Sequence, residues 1–481
     1  MSRKTVSLLK RKSLERIHKE SLKILENIGI LVENENCRKI LKKTGGIEVG
    51  QTNVIRLPAD MVNESLEQVT KKFEVVHPTG NRFTVPCKRP KAGTRVKMPK
   101  ILEYETNKIR PPKRQDVINN CKITNALSDV DFTVAIQYPS SDVPPEIDVA
   151  DTLGLVFGIT GKTSIVAPST VEDARTSLDL ASVAVGSEDT DKNPGTWVEV
   201  NTTSPLVLGD REGDIISYVV GRHIPIDVAP MPVAGIATPF TLAGTLSVSN
   251  AESLFLCTLA NAIWPGAKII HSVCGSILNM RTANLSMGAA ETCLLSSAEL
   301  ALAQFYGFPT FRMGGYSDSY YSDVQAGIEK MAAILTLSQS NVDLINMGGP
   351  LNCAAHHSYE QVVIDHDIWE MSERLSTEIE VNDDTLAYDT VLKVGHGGSY
   401  IGEAHTRNWL RSGEHYYGGS FNHTGLPGEE NTMLARAHER VEDILRKPLE
   451  YIAPPDSLKR IKQYVHDHAK SKNIIPPEWT E

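Results

Sequence analysis

Short apolar runs recur along the middle of the chain, and stretches with helical spacing lie between them. Seven runs have the length of strands and are apolar at consecutive positions, a pattern typical of parallel strands covered on both faces. They occupy residues 130–137, 163–167, 197–202, 226–230, 268–273, 309–313 and 342–347. Apolar residues at helical spacing fill most of the gaps, for example in residues 246–261 and 283–304. This alternation predicts an α/β fold built on a parallel sheet.

The number and spacing of these strand–helix units indicate which parallel architecture the chain adopts. Seven units follow one another about 30–45 residues apart, as in a (β/α)8 TIM barrel with one strand that the pattern does not locate. A doubly wound open sheet is the alternative, but it normally has a GxGxxG turn after its first strand. The chain has no such motif in that context. We therefore predict the TIM barrel, with its core in residues 116–360.

Segments of different character flank the predicted barrel. Residues 14–28 have apolar positions at helical spacing, which predicts an N-terminal helix. Residues 73–85 are typical of a hairpin, and residues 86–114 are rich in Pro and Lys and are expected to be irregular. We take residues 1–115 as an N-terminal α/β extension of helices and a hairpin. Residues 361–481 are expected to form a C-terminal segment of helices and loops that packs on the barrel.

Composition and charge narrow the class of protein. The chain has 481 residues, of which 22% are charged and 41% apolar, as in an ordinary soluble enzyme. A net charge of −10 disfavours nucleic acid as a partner, because phosphate binding requires a clustered positive surface. No apolar run approaches about 18 residues, so no membrane span is expected, and the basic N-terminus lacks the apolar core of a signal peptide. The 7 cysteines are scattered without a CxxC pair, which favours a reducing, cytoplasmic location.

The loops after the strands hold the candidate chemistry, because a barrel carries its active site at the carboxyl ends of its strands. These ends are rich in Gly, Pro, Ser and Asn and poor in Asp and Glu. Glycosidase barrels present a pair of carboxylates there, so the composition argues against glycoside hydrolysis and metal-assisted hydrolysis. His and Cys residues do not fall at the spacing of a zinc site, and we expect no tightly bound metal.

One arginine stands out among these strand ends. Arg312 ends an apolar strand, and Gly314-Gly315 leave space beside it, so its guanidinium requires an anion. Two interpretations remain open: a structural ion pair, for instance with Asp318, or a bidentate clamp for the carboxylate of a small ligand. Aromatic residues follow the same strand, and aromatic faces bind quaternary ammonium groups, although each of them can equally be a packing residue.

Consecutive strand ends meet at one mouth of a barrel, which groups these residues into one predicted site. The arginine is expected to hold a carboxylate, and the aromatic residues are expected to surround a cation. No residue is assigned as a catalytic acid or base. The predicted substrate-binding residues are Arg312, Tyr316, Phe311, Asn346, His357 and Tyr400.

Four groups of motif residues occur in order along almost the whole chain. The most specific is Gly314-Gly315-Tyr316-Ser317-Asp318-Ser319 followed by Asp323, Gln325-Ala326-Gly327 and Glu329. A second is Gly348-Gly349-Pro350-Leu351 followed by Ser358-Tyr359-Glu360-Gln361 and Asp365. The other two are Ile17-His18, Ser21-Leu22, Ile24-Leu25 and Gly29-Ile30 near the start, and Gly402, His405-Thr406 and Arg407 near the end. Together they resemble the signature of the trimethylamine methyltransferase superfamily.

The resemblance implies a TIM barrel with helical additions that transfers a methyl group from an amine. The acceptor is the Co(I) of a corrinoid, or cobalamin, carried by a separate protein in anaerobic metabolism. The trimethylamine enzymes of this superfamily contain pyrrolysine, whereas this chain contains only standard residues. It is therefore similar to the non-pyrrolysine branch, whose members act on quaternary amines such as glycine betaine, proline betaine and carnitine. His356-His357 depart from the small residues that are more usual before Ser358.

A quaternary amine also agrees with the composition of the strand ends. Its nitrogen leaves as a neutral tertiary amine that requires no proton, so a site without a paired acid and base suffices. The resemblance further implies four residues that face the corrinoid, namely Asn201, His271, Gly348 and Gly349. The expected partners are a cognate corrinoid-binding protein and a small quaternary amine, and we expect the chain to form a homo-oligomer.

Two other functions stay open at the level of the sequence. One is a zinc-dependent methyltransferase that activates a thiol, which requires a set of Cys and His ligands. The other is a non-catalytic protein that binds or senses a quaternary amine without a corrinoid partner. A metal assay separates the first from the leading hypothesis, and a test for demethylation separates the second.

Overall fold

The centre of the structure is a closed ring of eight parallel strands. It is a computed structural model, and the residues it describes are 8–136, 138–412, 414–425, 427–428 and 431–479. The barrel strands, β1 to β8, are Lys91–Arg95, Val130–Ile136, Ser164–Ala167, Thr196–Val200, Ile226–Val228, Ile269–His271, Phe311–Met313 and Leu344–Met347. They follow one another around the ring in sequence order. The ring closes between β6 and β7, where the His271 backbone N–H donates to the Pro309 carbonyl at 2.8 Å.

Each strand is followed by a helix that packs on the outside of the ring. The barrel helices, α1 to α8, are Arg114–Ala126, Pro145–Thr160, Val171–Val185, Asp210–Gly221, Leu242–Ile263, Ala290–Tyr306, Val324–Gln339 and Tyr359–Leu375. The helices cover the outer face of the sheet while side chains fill its inner face, which is why the strands read as continuous apolar runs. The prediction of a (β/α)8 TIM barrel is confirmed.

The strand that the sequence pattern does not locate is β1. It lies within residues 86–114, which the sequence predicts to be irregular, and that prediction is wrong for this stretch. A Cβ atom on Gly93 would lie 2.1 Å from the ring of Phe132 on β2, so the ring fills the volume that a side chain on β1 would occupy. The strand is therefore poor in apolar residues. The barrel begins before the predicted boundary at residue 116 and extends past residue 360 through α8. The division into an N-terminal extension, a barrel and a C-terminal segment otherwise stays a prediction.

The amino end of the barrel is closed by apolar packing. The predicted hairpin is confirmed, with strands Phe73–Val76 and Arg82–Val85 paired in antiparallel fashion. Its apolar residues pack against a buried cluster inside the ring, formed by Phe132, Val134, Ile165, Trp197, Ile270, Phe311 and Leu344. The polar part of the interior consequently lies towards the carboxyl ends of the strands.

Short elements surround the barrel before and between its units. The N-terminal helices are Arg11–Lys23, Glu35–Lys43 and Ala59–Gln68, with a π-helical turn at Ile24–Ile28. Beside them, a four-stranded sheet contains Val207–Leu208, Ile30–Val32, Val54–Arg56 and Ile47–Glu48. Two small sheets follow carboxyl ends of barrel strands and so lie at the mouth. One contains Val233–Ala234, Ser276–Asn279 and Asn284–Ser286, and the other contains Pro350–Leu351, His356–His357, Ile101–Leu102 and Ile109–Arg110.

Among the described residues after α8, the chain forms three short helices and then two long ones. The short helices are Asp383–Leu386, Tyr388–Val394 and Ala404–Trp409. The helix Met433–Arg446 packs on α8 and α1, and the helix Pro455–Ser471 packs on α2 and α3. No helix in the described part of the chain is long and apolar enough to cross a membrane.

Candidate active site

A cavity of about 530 Å³ opens at the carboxyl ends of the barrel strands. Strand ends and the loops after them supply its walls, which is where a TIM barrel places its active site. The walls combine charged, aromatic and thioether side chains. Those that matter most for its chemistry are Arg95, Tyr138, Glu199, Asn201, Met231, Met287, Met313 and Tyr316.

Arg95 and Glu199 form the polar floor of this cavity. Side chains alternate along a strand, so Arg95 shares the inner face of β1 with Gly93, and Glu199 shares that of β4 with Trp197. The Arg95 Nη2 donates to the hydroxyl of Tyr316, whereas its Nε has no hydrogen-bond partner among the described residues. Burial raises the pKa of Glu199, and the charge of Arg95 opposes that shift.

More buried polar atoms lie next to this floor, on Asp227 of β5, Ser272 after β6 and Asn346 of β8. Asp227 and Ser272 interact with each other, and both amide atoms of Asn346 lack partners within the described part of the chain. Burial raises the pKa of Asp227 well above its ordinary value, and the nearby Glu199 adds to the shift. Buried groups of this kind normally complete their hydrogen bonds with water or a ligand.

Tyr316 connects the floor to the wall of the cavity. Its buried hydroxyl accepts the hydrogen bond of Arg95 and donates to the Met313 sulfur at 3.0 Å. The Arg95 guanidinium lies over the Tyr316 ring, 5.4 Å from the ring centroid. Burial raises the pKa of the Tyr316 hydroxyl, which therefore stays neutral at physiological pH. Tyr138 and the methionines complete a wall of aromatic faces and thioethers, which suits a methylated cation.

The loop after β7 is held by its own motif residues. Asp318 accepts hydrogen bonds from the backbone N–H groups of Met287 and Gly288 at 2.7 and 2.8 Å, which joins this loop to the one after β6. Glu329 of α7 accepts from the Ser317 hydroxyl at 2.6 Å and from the Asp318 N–H at 2.8 Å. The acidic residues of the motif thus fix the loops that form one wall of the cavity.

A buried ion pair joins the loops after β7 and β8. The Lys330 ammonium donates to the Asp365 carboxylate at 2.8 Å and to the Gly315 carbonyl at 2.5 Å, and both side chains are fully buried. Asp365 also accepts from the Gly349 N–H at 2.7 Å. Position 315 requires glycine, because a Cβ atom there would approach the Met347 Cα to 2.8 Å. The loops after β6, β7 and β8 are therefore linked to one another.

Arg312 points away from the cavity. Phe311 and Met313 take the inner positions of β7, which leaves Arg312 on the outer face, under α6. Its Nη1 donates to the carbonyls of His271 and Phe311 at 2.7 Å, and its Nε donates to the Ser296 carbonyl at 3.4 Å. Burial lowers the pKa of Arg312 to about 10. The predicted clamp for a substrate carboxylate does not fit this placement.

The other predicted substrate-binding residues are dispersed. Tyr316 lines the cavity, and Asn346 lies next to its floor. Phe311 belongs to the apolar cluster near the closed end of the barrel. His357 is buried, its Nε2 lies 2.8 Å from an asparagine oxygen of α1, and burial lowers its pKa to about 3. Tyr400 is 44% exposed in the segment after α8. Neither Tyr400 nor His357 lines the cavity.

The four residues expected to face the corrinoid also separate. Asn201 lies on the cavity wall. His271 is buried beside Arg312, and burial lowers the pKa of His271 well below its ordinary value. Gly348 and Gly349 are buried, and their N–H groups donate to Asp365 at 3.2 and 2.7 Å. His271, Gly348 and Gly349 therefore make structural contacts next to the site and do not line the cavity.

The charged residues of the floor are absent from the site predicted by sequence. Arg95 lies in the strand that the pattern does not locate, and Glu199 and Asp227 lie within strands rather than after them. A signal is nevertheless present in the runs TWVEV and IDV. An acidic residue inside an apolar strand has to face a polar partner, because an isolated buried charge is costly. Alternation with Trp197 also places Glu199 on the inner face.

One group of possible metal ligands occurs in the described part of the chain, formed by His366, Asp367 and Glu370 of α8. Its two carboxylates and the His366 Nε2 already have protein partners. The His366 Nε2 lies 2.7 Å from the Ser128 carbonyl, and Asp367 accepts from Arg440 at 2.9 Å. These contacts tie α8 to its neighbours, and we assign no metal site to the group.

Comparison with known proteins identifies the family. The family model for trimethylamine methyltransferase, MTTB, matches residues 2–473. The trimethylamine methyltransferase MttB of Methanosarcina barkeri is 28% identical over 453 residues, which are 90% of this chain and 89% of that protein. The glycine betaine methyltransferase of Desulfitobacterium hafniense is 28% identical over 405 residues, which are 83% of this chain and 84% of that protein.

A solved structure supports the architecture. The monomethylamine methyltransferase MtmB of Methanosarcina barkeri superposes with a TM-score of 0.51 at 15% identity, covering 92% of this chain and 95% of that one. At this level of identity the likeness concerns the fold, and it agrees with the closed ring of eight strands. The match of the family model over nearly the whole length decides the assignment, and the chain belongs to the trimethylamine methyltransferase family.

Proposed function

We propose that this methyltransferase moves a methyl group from a betaine to the Co(I) corrinoid of a separate protein. The observation that carries the proposal is the cavity at the mouth, where a buried arginine adjoins aromatic and thioether walls. These surfaces match the two ends of a betaine, a carboxylate and a methylated ammonium. Family membership supports methyl transfer, and the relative that acts on glycine betaine supports a quaternary amine.

Arg95 takes the role first predicted for Arg312. Its Nε has no partner in the described part of the chain, while Tyr316 holds the rest of the guanidinium in place. Burial raises the pKa of Glu199, which favours the neutral form of this carboxyl. The burial that raises the pKa of Glu199 thus weakens the competition of this carboxyl with the substrate carboxylate for Arg95. The ammonium group then lies against the wall that contains Tyr138.

The reduced corrinoid supplies the nucleophile that accepts the methyl group. The bond between nitrogen and the methyl carbon breaks, and its electron pair remains on nitrogen. The product is a neutral tertiary amine, so the departure of the amine requires no proton. The residues of this chain have to bind the zwitterion, direct one methyl group towards the opening and limit the access of water.

The rim of the cavity fits a docking partner. Met231, Phe240 and Met280 are exposed in the loops after β5 and β6, and Tyr321 is exposed after β7. Clusters of exposed apolar residues are typical of protein contact surfaces. We place the corrinoid-binding protein on this rim. All seven cysteines are free, which supports the reducing, cytoplasmic setting that Co(I) requires.

The proposal is tested by anaerobic mixing of the protein with a Co(I) corrinoid protein and one amine at a time. Glycine betaine, proline betaine, carnitine, choline and trimethylamine form the panel, and the absorption of Co(I) is followed. We expect a betaine to discharge the Co(I) absorption and to yield its tertiary amine in equal amount, whereas trimethylamine remains unchanged. Binding without demethylation would support a binding protein, and activity that depends on measured zinc would support the zinc-type enzyme. Either result would overturn the proposal.

A further inference from the structure

The hairpin that follows β8 has an unusual backbone at its tip. The tip consists of the four residues 352–355 between the two paired strands. Three successive residues in it, Asn352, Cys353 and Ala354, have φ angles of 48°, 52° and 67°. Residues with a side chain rarely adopt this left-handed conformation, which glycine adopts freely and asparagine tolerates. No other three successive residues in the described part of the chain share it.

Hydrogen bonds from neighbouring loops hold the tip in this conformation. The Asn352 N–H donates to the Ser319 carbonyl at 2.8 Å, and the Cys353 N–H donates to the Ser317 carbonyl at 2.9 Å. The Cys353 thiol donates to the Leu285 carbonyl at 3.0 Å. The tip is therefore joined to the loops after β6 and β7. Unfavourable backbone conformations persist where the surroundings determine them, and they are common at sites that clamp a ligand.

The residue types at the tip differ in how well they suit this backbone. Asparagine tolerates it, and the side chain of Cys353 makes the hydrogen bond that a glycine would lack. Ala354 has no such reason, because its methyl group forms no hydrogen bond and glycine would adopt the same backbone without the steric cost. A residue that departs from the local preference without a structural gain is expected at a functional site. The methyl group of Ala354 therefore requires a role outside the turn.

Ala354 lines the cavity at the mouth of the barrel. It is half-buried and packs, together with Met313, against a cluster formed by Cys274, Met287 and Tyr316. This cluster belongs to the wall of aromatic and thioether groups that suits a methylated cation. The methyl group of Ala354 is thus part of the surface that faces the ammonium group of a bound betaine.

We propose that Ala354 is a specificity-determining residue whose methyl group limits the space beside the ammonium group. This inference rests on the proposed function. The N-methyl groups of a betaine fit against the wall, whereas an ethyl group that faces it collides with the Ala354 methyl. The tip does not move aside as a free loop would, because the loops after β6 and β7 hold it. Ala354 thus selects the size of the nitrogen substituents, while Arg95 binds the carboxylate.

The test compares Ala354→Gly with the control Ala387→Gly, since Ala387 has a φ of 53° but does not line the cavity. Calorimetry measures the binding of glycine betaine and of its N,N-diethyl-N-methyl homologue, whose ethyl groups meet the walls when its methyl group faces the opening. We expect Ala354→Gly to bind the homologue at least about 10-fold more tightly than the wild type does. It should bind glycine betaine about 4-fold more weakly, because one methyl contact is lost. The control should keep both affinities, and neither variant should have a lower melting temperature, because glycine adopts this backbone freely.

Two outcomes would overturn the inference. The first is an Ala354→Gly variant with a lower melting temperature and an unchanged ratio of the two affinities, which would give the methyl group a structural role only. The second is the same change of ratio in Ala387→Gly, which would show that the cavity does not select through Ala354. Failure of the proposed function alone gives a different pattern. In that case Ala354→Gly still changes the ratio of affinities, but the wild type demethylates no amine of the panel.

Discussion

Arg95 and Arg312 are both almost completely buried, at 2% and 1% exposure, yet they have different surroundings. Arg312 lies on the outer face of its strand and donates to three carbonyl groups. Arg95 lies on the inner face of β1 and retains an Nε without a partner among the described residues. A sequence pattern can show that an arginine belongs to a strand. Whether its side chain faces the barrel interior or the surrounding helices depends on the position of the residue in the alternation along that strand. For Arg312, alternation with two large apolar neighbours was the available indication.

Replacing Arg95 tests its role as the carboxylate clamp. Arg95→Ala should lower kcat/KM for glycine betaine roughly 30- to 1,000-fold, because the carboxylate loses a charge-assisted bond of about 2–4 kcal/mol. Arg95→Lys should recover only part of this, because an ammonium does not reproduce the planar guanidinium. Choline lacks the carboxylate and should be much less affected. An equal loss for glycine betaine and choline would contradict the clamp, and the melting temperature of each variant controls for misfolding.

Arg312 provides the matched control. Arg312→Ala should lower the free energy of unfolding by about 2–4 kcal/mol, because three buried carbonyl groups lose their donor. The kcat/KM per folded molecule should remain near that of the wild type. If this variant instead kept its stability and lost the preference for betaines over choline, the assignment of the clamp would return to Arg312.

Glu299 of α6 is predicted to make stability depend on pH. Burial raises its pKa to about 7 from the ordinary value of 4.5, and the charge of Arg312 opposes this shift. The folded state therefore retains a proton that the unfolded state has released. The resulting stabilisation is complete below about pH 4.5 and is lost as the pH rises through about 7, in total roughly 3 kcal/mol.

Glu299→Gln removes this titration while it keeps a neutral side chain of similar shape. We expect the free energy of unfolding of the variant, relative to the wild type, to increase by up to about 3 kcal/mol between pH 5 and pH 8. Denaturant unfolding at several pH values measures the difference. The buried His271 titrates in both proteins, and its contribution cancels in this comparison. A difference that stays constant with pH would contradict the raised pKa.

At the scale of elements, the loops after β7 and β8 depend on the buried pair of Lys330 and Asp365. Lys330→Met should lower the free energy of unfolding by about 3–5 kcal/mol, because it leaves the Asp365 carboxylate buried without its cation. The double variant Lys330→Met with Asp365→Asn should recover part of this, since no unpaired charge remains. Denaturant unfolding of both proteins gives the two values. A loss below about 1 kcal/mol for the single variant would show that the pair does not stabilise the loops.

Most elements of the barrel could be predicted from sequence, and β1 shows why one could not. Seven strands carry apolar residues at consecutive positions, which is the pattern that buried parallel strands produce. In β1 the inner position next to Phe132 is a glycine, and its other inner side chains are charged. The residues of β1 are determined by the size of the Phe132 ring beside it and by the polar site inside the barrel. Neither can be recognised from the order of apolar and polar residues within the strand.

For the molecule as a whole, motifs indicated the family better than they indicated the site. Asp318, Glu329 and Asp365 belong to the recognised motifs, and the structure places them in the contacts that hold the loops. The candidate floor instead combines Arg95 and Glu199, which lie far apart in sequence and meet because the ring closes. Sequence spacing reports contacts within one unit, whereas a barrel site is assembled from all units.

The most direct measurement for the central claim is a crystal structure of the protein with bound glycine betaine. We predict ligand density in the cavity at the carboxyl ends of the strands. The carboxylate should lie within hydrogen-bond distance of Arg95, and a methyl group of the ammonium should face the opening beside the wall that contains Tyr138 and Tyr316. Betaine bound at Arg312, at the amino end of the barrel, or with its carboxylate turned away from Arg95 would show that this cavity and Arg95 do not form the substrate site.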